Sequence, residues 1–184
     1  MGALTIPSST LDGILGGAAA TPSSGGMTQL ATGSLSNANL NLTSISGSYK
    51  NLQLNLDVTH GSGNPFQVFL RFNGNSGAVY NAVIPNSTRN SYNAGDGFTD
   101  SASFRPHADS FKAGTYGQII VNIYDYASTT AAKCITTIAG GKDNNNNVGM
   151  SSSALGHFNS TTAITSIESI TNPLTGTYTL YGVK

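Results

Sequence analysis

From Met27 onward, apolar and polar residues alternate with a period of two, and this period constrains the fold more than any other feature. The clearest run is Leu52, Leu54, Leu56 and Val58, interleaved with Gln53, Asn55 and Asp57. Successive side chains of a strand point to opposite faces, so the run predicts one dry face and one wet face. After Gly61-Ser62-Gly63-Asn64-Pro65, the residues Phe66, Val68, Leu70 and Phe72 alternate with Gln67, Phe69 and Arg71. The turn Asn73-Gly74-Asn75-Ser76-Gly77 leads into Tyr80-Asn81-Ala82-Val83-Ile84. Asn73-Gly74 reads as a hairpin turn, because Asn and Gly tolerate positive φ. Further strands are predicted near 28–34, 39–45, 98–104, 117–126, 132–139, 148–155, 162–170 and 176–183. Ile164, Ile167 and Ile170 have spacing three, but the threonines around them predict a bulged strand over a helix. Many short strands between Gly, Asn, Ser and Pro turns predict an all-β chain, a sandwich or a barrel over residues 27–184.

Residues 1–26 differ: Gly16-Gly17, three alanines and Thr21-Pro22-Ser23-Ser24-Gly25-Gly26 have the composition of a linker. They predict an extended N-terminal arm. Ser9-Thr10-Leu11-Asp12 matches a helix-start pattern, and Leu11, Ile14 and Leu15 could form one short apolar face. A single turn of helix is unstable alone and needs a partner surface. Leu4, Ile6, Pro7, Leu11, Ile14 and Leu15 are the candidate docking residues. Fully extended, 26 residues reach about 85 Å, enough to cross onto neighbouring subunits.

Charge excludes several functions. Only 9% of residues are charged, and eight basic and eight acidic side chains cancel. The arginines and lysines are scattered, so neither a nucleic acid nor an anionic membrane is an expected partner. Near-zero net charge also offers little repulsion between copies. No apolar run approaches the ~20 residues of a membrane span, and MGALTIPSST has no positive n-region.

Catalytic inventory is thin, and the expectation is a protein that is not an enzyme. Glu168 is the only glutamate. Asp96 and Asp100 are the nearest carboxylates to a glycosidase pair, but solvated acids in a turn is the better reading. His60, His107 and His157 lie far apart, without ligand spacing, and read as loop histidines. The oxygen-rich stretches Asp96–Asp100 and Asp143–Asn147 would suit calcium better, yet neither matches EF-hand spacing. No cofactor and no metal are expected. The run Lys142–Asn147 reads as a polar loop tip. Cys134, the single cysteine, reads as buried and inert, and Arg71 as paired with a cross-strand carboxylate such as Asp57.

Four segments in order carry a resemblance: Tyr49-Lys50-Asn51-Leu52-Gln53-Leu54, Leu70-Arg71-Phe72-Asn73-Gly74-Asn75, Ile164-Thr165-Ser166-Ile167 and Gly176-Thr177-Tyr178-Thr179-Leu180-Tyr181-Gly182-Val183. Over residues 45–184 the chain resembles tailed-phage minor structural and decoration proteins of jelly-roll type. It departs at Asn75, where that pattern often has Asp. The resemblance implies a single jelly-roll-like antiparallel β-sandwich and a virion address, without fixing the position within the virion; the N-terminal arm favours the capsid surface over the tail. The resemblance also implies the major capsid protein or other virion proteins as partners, and a homotrimer. The alternative is a tail-fibre, tail-tip or neck component gripping a host glycan. With no Trp in the chain, aromatic platforms for a sugar would be Tyr92, Phe98 and Tyr126, or Tyr80 and Tyr124.

Overall fold

A computed structural model of the chain describes residues 26–60, 64–88, 91–108, 110–144, 149–170 and 173–184, without the side chains of 86–88 and 91–96. The candidate docking residues Leu4, Ile6, Pro7, Leu11, Ile14 and Leu15 therefore lie outside the described residues.

Eleven strands form two antiparallel sheets among these residues. They are β1 (Met27–Ala38), β2 (Asn41–Leu42), β3 (Asn51–His60), β4 (Phe69–Phe72), β5 (Tyr80–Thr88), β6 (Ser91–Ser101), β7 (Gly117–Ile123), β8 (Lys133–Lys142), β9 (Gly149–Phe158), β10 (Ile167–Ile170) and β11 (Leu174–Val183). The larger sheet has the order β1-β11-β3-β7-β8-β9-β5-β6, and the smaller has β2-β10-β4. Leu70 and Phe104 exchange two backbone hydrogen bonds of 2.8 Å, which adds a rudimentary fourth strand beside β4. With the β5–β6 and β8–β9 segments set aside, the remaining strands interleave as 1-8-3-6 in one sheet and 2-7-4-5 in the other. That is the double Greek-key order of a jelly roll. The two inserted segments pair through β5 and β9 and widen one sheet only.

Burial follows the alternation. In β3 the even positions Leu52, Leu54, Leu56 and Val58 are buried, and the odd ones are at least partly solvated. They pack with Leu42, Leu70, Phe72 and Ile167 of the smaller sheet in one core. Above the inserted strands, Phe72, Tyr80 and Phe158 meet with ring centroids 5.1–5.8 Å apart, tying the smaller sheet to the widened end of the larger. No helix among the described residues is long and apolar enough to cross a membrane.

Several expectations need correction. The strand expected over 66–72 is regular only at β4, although Phe66 and Val68 are buried as their parity predicts. Here the ladder is interrupted because His107, not a backbone carbonyl, accepts from the Val68 N–H at 3.0 Å. His60 lies on β3 and His157 on β9, so neither is a loop histidine, while His107 lies between strands but is fully buried and takes the Val68 N–H. Asn73 and Gly74 do adopt positive φ (55° and 63°), and the Asn75 N–H closes the turn on the Phe72 carbonyl. The turn nonetheless joins β4 to β5 in the other sheet, so it is a corner between sheets and not a hairpin. Asp96 and Asp100 lie on β6 and not in a turn. Only Ile167–Ile170 of the 162–170 segment is strand. Asp143 is buried beside Phe111, so the Lys142–Asn147 stretch does not begin as a wet loop tip. Arg71 has Glu168 as its cross-strand neighbour and donates from Nε to the Ala102 carbonyl at 3.1 Å, whereas Asp57 stands on the other sheet.

The four segments behind the resemblance meet in pairs. The Tyr49 ring lies against Gly182, where any Cβ would collide with it. Asn73 is bonded to Thr165 and Ser166 through both its backbone and its side chain. These segments are the joints of the sandwich.

Candidate functional site

In β8 the inward residues are Lys133, Ile135, Thr137 and Ala139, which turns Cys134, Thr136 and Ile138 outward. Cys134 is thus exposed, contrary to the buried thiol expected. Its place in the core direction is taken by Lys133, a residue the sequence reading passed over. The Lys133 ammonium is buried and donates to the carbonyls of Ser128 (2.7 Å), Ala131 (3.0 Å) and Ser160 (3.1 Å). Loss of hydration lowers its pKa from the usual 10.5. Three loop carbonyls converging on one cation resemble a metal site in which the ammonium is the ion, and the role is structural.

Register builds the outward face next to Cys134. Cys134 pairs with His157 of β9, which pairs with Asn81 of β5. On the other side, the Tyr124 N–H donates to the Cys134 carbonyl at 2.9 Å. Tyr124, Cys134, His157 and Asn81 therefore form one transverse row. Asn81 is held in place because its Oδ1 accepts from the Asp100 N–H at 3.0 Å. Its amide nitrogen then faces His157 Nε2 at 3.4 Å, which calls for the tautomer with the proton on Nδ1. Beside this row is an open depression of about 500 Å³, lined by Asn81, Val83, Phe98, Thr99, Cys134, Leu155 and His157. Gly156 lies at its base with no room for a Cβ against the Asn81 carbonyl, so β5 and β9 approach closely there.

A thiol, an imidazole and a carboxamide in one row are the residue types of a cysteine nucleophile with its base and orienting group. The row nevertheless runs across interior strands, where backbone N–H groups are committed to the ladder. Mixed polar and apolar lining suits binding better. No group of three or more His, Cys, Asp or Glu side chains capable of holding a metal occurs among the described residues.

Of the aromatic residues considered for a glycan, Phe98 lines the depression and Tyr124 extends the row. Tyr126 is fully buried and donates its hydroxyl to the Ser46 carbonyl, so it offers no ring to a sugar. Tyr80 is likewise fully buried, in the aromatic core. The Tyr92 side chain lies outside the described residues.

Fold and face together define a jelly-roll-like β-sandwich with a widened sheet whose outward surface, among the described residues, is nearly free of charge. Comparison with protein-family models, with curated proteins and with solved structures finds no match for this chain.

Proposed function

We propose that the protein is a non-enzymatic structural component of a tailed-phage virion: a capsid decoration or cement protein that stabilises the head. Residues 1–26 dock on the lattice of the major capsid protein, and the sandwich stands outward. The observation that carries this reading is the pairing of Met27 with Val183 at the edge of the larger sheet. Met27 opens the edge strand of the larger sheet, so an arm leaving it holds the sandwich by one corner and leaves its faces free. An ordering arm gains affinity from many small contacts, and a repeating lattice offsets the entropy of ordering it. The four-segment resemblance supplies the virion address.

A second reading rests on the depression beside Phe98. There a tail-fibre, tail-tip or neck component would hold a host glycan against the ring, with Asn81, Thr99 and His157 as polar partners. Labelling intact virions with an antibody to residues 27–184, viewed by electron microscopy, tests the two. Label over the head is the expected result. Label confined to the tail or its tip would overturn the decoration reading, and a glycan screen against Phe98→Ala would then test the second.

A further inference from the structure

The outward face of the larger sheet carries an apolar stripe that a solitary domain has no reason to keep. Ile120, Ile138, Leu155 and Val83 stand on four adjacent strands, β7, β8, β9 and β5. Ile120 is opposite Ile138, Leu155 is opposite Val83, and Ile138 lies diagonal to Leu155 through the Thr136–Leu155 and Ile138–Ser153 pairs. Their exposures are 36%, 63%, 61% and 60%. The side chains between them are Asn122, Thr136, Ser153 and Asn81, so this part of the face carries no charge. Polar residues of β3 and β11 continue it, with Asp57 towards one rim.

What could cover such a face follows from its chemistry. Complementary charge steers and sorts partners of different sequence, and this face has almost none to read, whereas interfaces between identical copies are the more apolar class. A second copy of the chain buries no unpaired charge when it docks here, and a net charge of zero removes long-range repulsion between copies. Size also fits. Six neighbouring strands about 4.8 Å apart, each with about seven residues at about 3.3 Å rise, present roughly 670 Å². Stable interfaces bury about 800 Å² per partner. We propose that the outward face of the six strands β11, β3, β7, β8, β9 and β5 is an interface between copies of this chain, with the apolar stripe around Ile138 and Leu155 as its dry part and Cys134 covered by it. This inference does not depend on the virion reading.

The test uses the full chain and its Leu155→Asp and Ile138→Asp variants, each checked for an unchanged circular dichroism spectrum and melting temperature. Both positions are solvated in one protomer, so the variants are expected to fold normally. Sedimentation at about 50 μM should show an oligomer for the parent and a monomer for either variant. Cys134 supplies a second readout: its thiol should react with a disulfide reagent at least about tenfold more slowly in the parent than in the variants. A monomeric parent, or variants that stay oligomeric with the thiol equally protected, would overturn the proposal. An oligomer held together by residues 1–25 alone would show itself in that last way.

Discussion

Asn73 and Ser166 hold each other reciprocally: the Asn73 N–H donates to the Ser166 carbonyl at 3.0 Å, and the Ser166 N–H donates to Asn73 Oδ1 at 3.1 Å. The same Oδ1 accepts from the Thr165 N–H at 2.8 Å, and Nδ2 donates to the Ala163 carbonyl at 2.8 Å. One side chain with positive φ thus fastens the corner between the sheets to the segment entering β10. Asn73→Ala should lose about 2–4 kcal/mol in urea unfolding, from unpaired backbone groups and a strained φ. Asn73→Asp keeps the acceptor but sets a carboxylate oxygen against the Ala163 carbonyl, and should fall between the two. Equal stability of all three proteins would show that the corner is held elsewhere.

His107 fills a gap in backbone pairing. Between the Phe66–Phe111 and Leu70–Phe104 bridges, its Nε2 takes the Val68 N–H, while its ring lies 4.4 Å from that of Phe111. His107→Phe preserves a buried ring but leaves the N–H unpaired, so a loss of about 1–3 kcal/mol is expected. His107→Ala adds a cavity and should lose more. Thermal unfolding followed by circular dichroism distinguishes them, and a Phe variant as stable as the parent would remove the acceptor role.

Lys133 acts as an internal clamp on the loops around 128–131 and at Ser160. Lys133→Met fits the space but leaves three carbonyls without their donor. It should destabilise the fold by about 2–4 kcal/mol and speed amide exchange in 128–132 before the sheet opens. Unchanged exchange there would sink the clamp.

Tyr80 makes alkaline stability a readout of the core. Its hydroxyl accepts from the Phe72 N–H and donates to the Asn75 carbonyl, both at 3.0 Å. Burial raises its pKa above 10.0, so the folded state keeps a proton that the unfolded state gives up. That contribution is fully present below pH 10 and is lost as pH rises through the folded pKa. Tyr80→Phe should be less stable by about 1–2 kcal/mol at pH 7. The gap should narrow as pH rises above 10 in chemical denaturation. A gap constant with pH would contradict this reading.

Much of the fold was legible in the residues. Parity alone places Leu52, Leu54, Leu56 and Val58 in the core, and the turn chemistry of Asn73-Gly74 requires the positive φ that both adopt. The Tyr49–Gly182 and Asn73–Ser166 contacts join the four singled-out segments in pairs, each pair a single joint split across distant sequence. The candidate site was scarcely legible. Of its residues only Phe98 was singled out as a candidate contact, and Tyr124 was weighed as a platform, because a transverse row is assembled by register between strands far apart in sequence.

Alternation by itself determined where strands run and that each has two unlike faces. It could not say which face of β8 is the inner one. Ile135 and Ala139 share one parity, Cys134 and Ile138 the other, and Thr136 and Thr137 are identical neighbours on opposite sides. Only tertiary packing settled it: the β7–β8–β9 register turns Ile135 inward, which commits Lys133 to the interior and Cys134 to the surface. A shift of one residue would exchange every side chain between core and solvent, and in a run this evenly balanced no local property opposes the exchange.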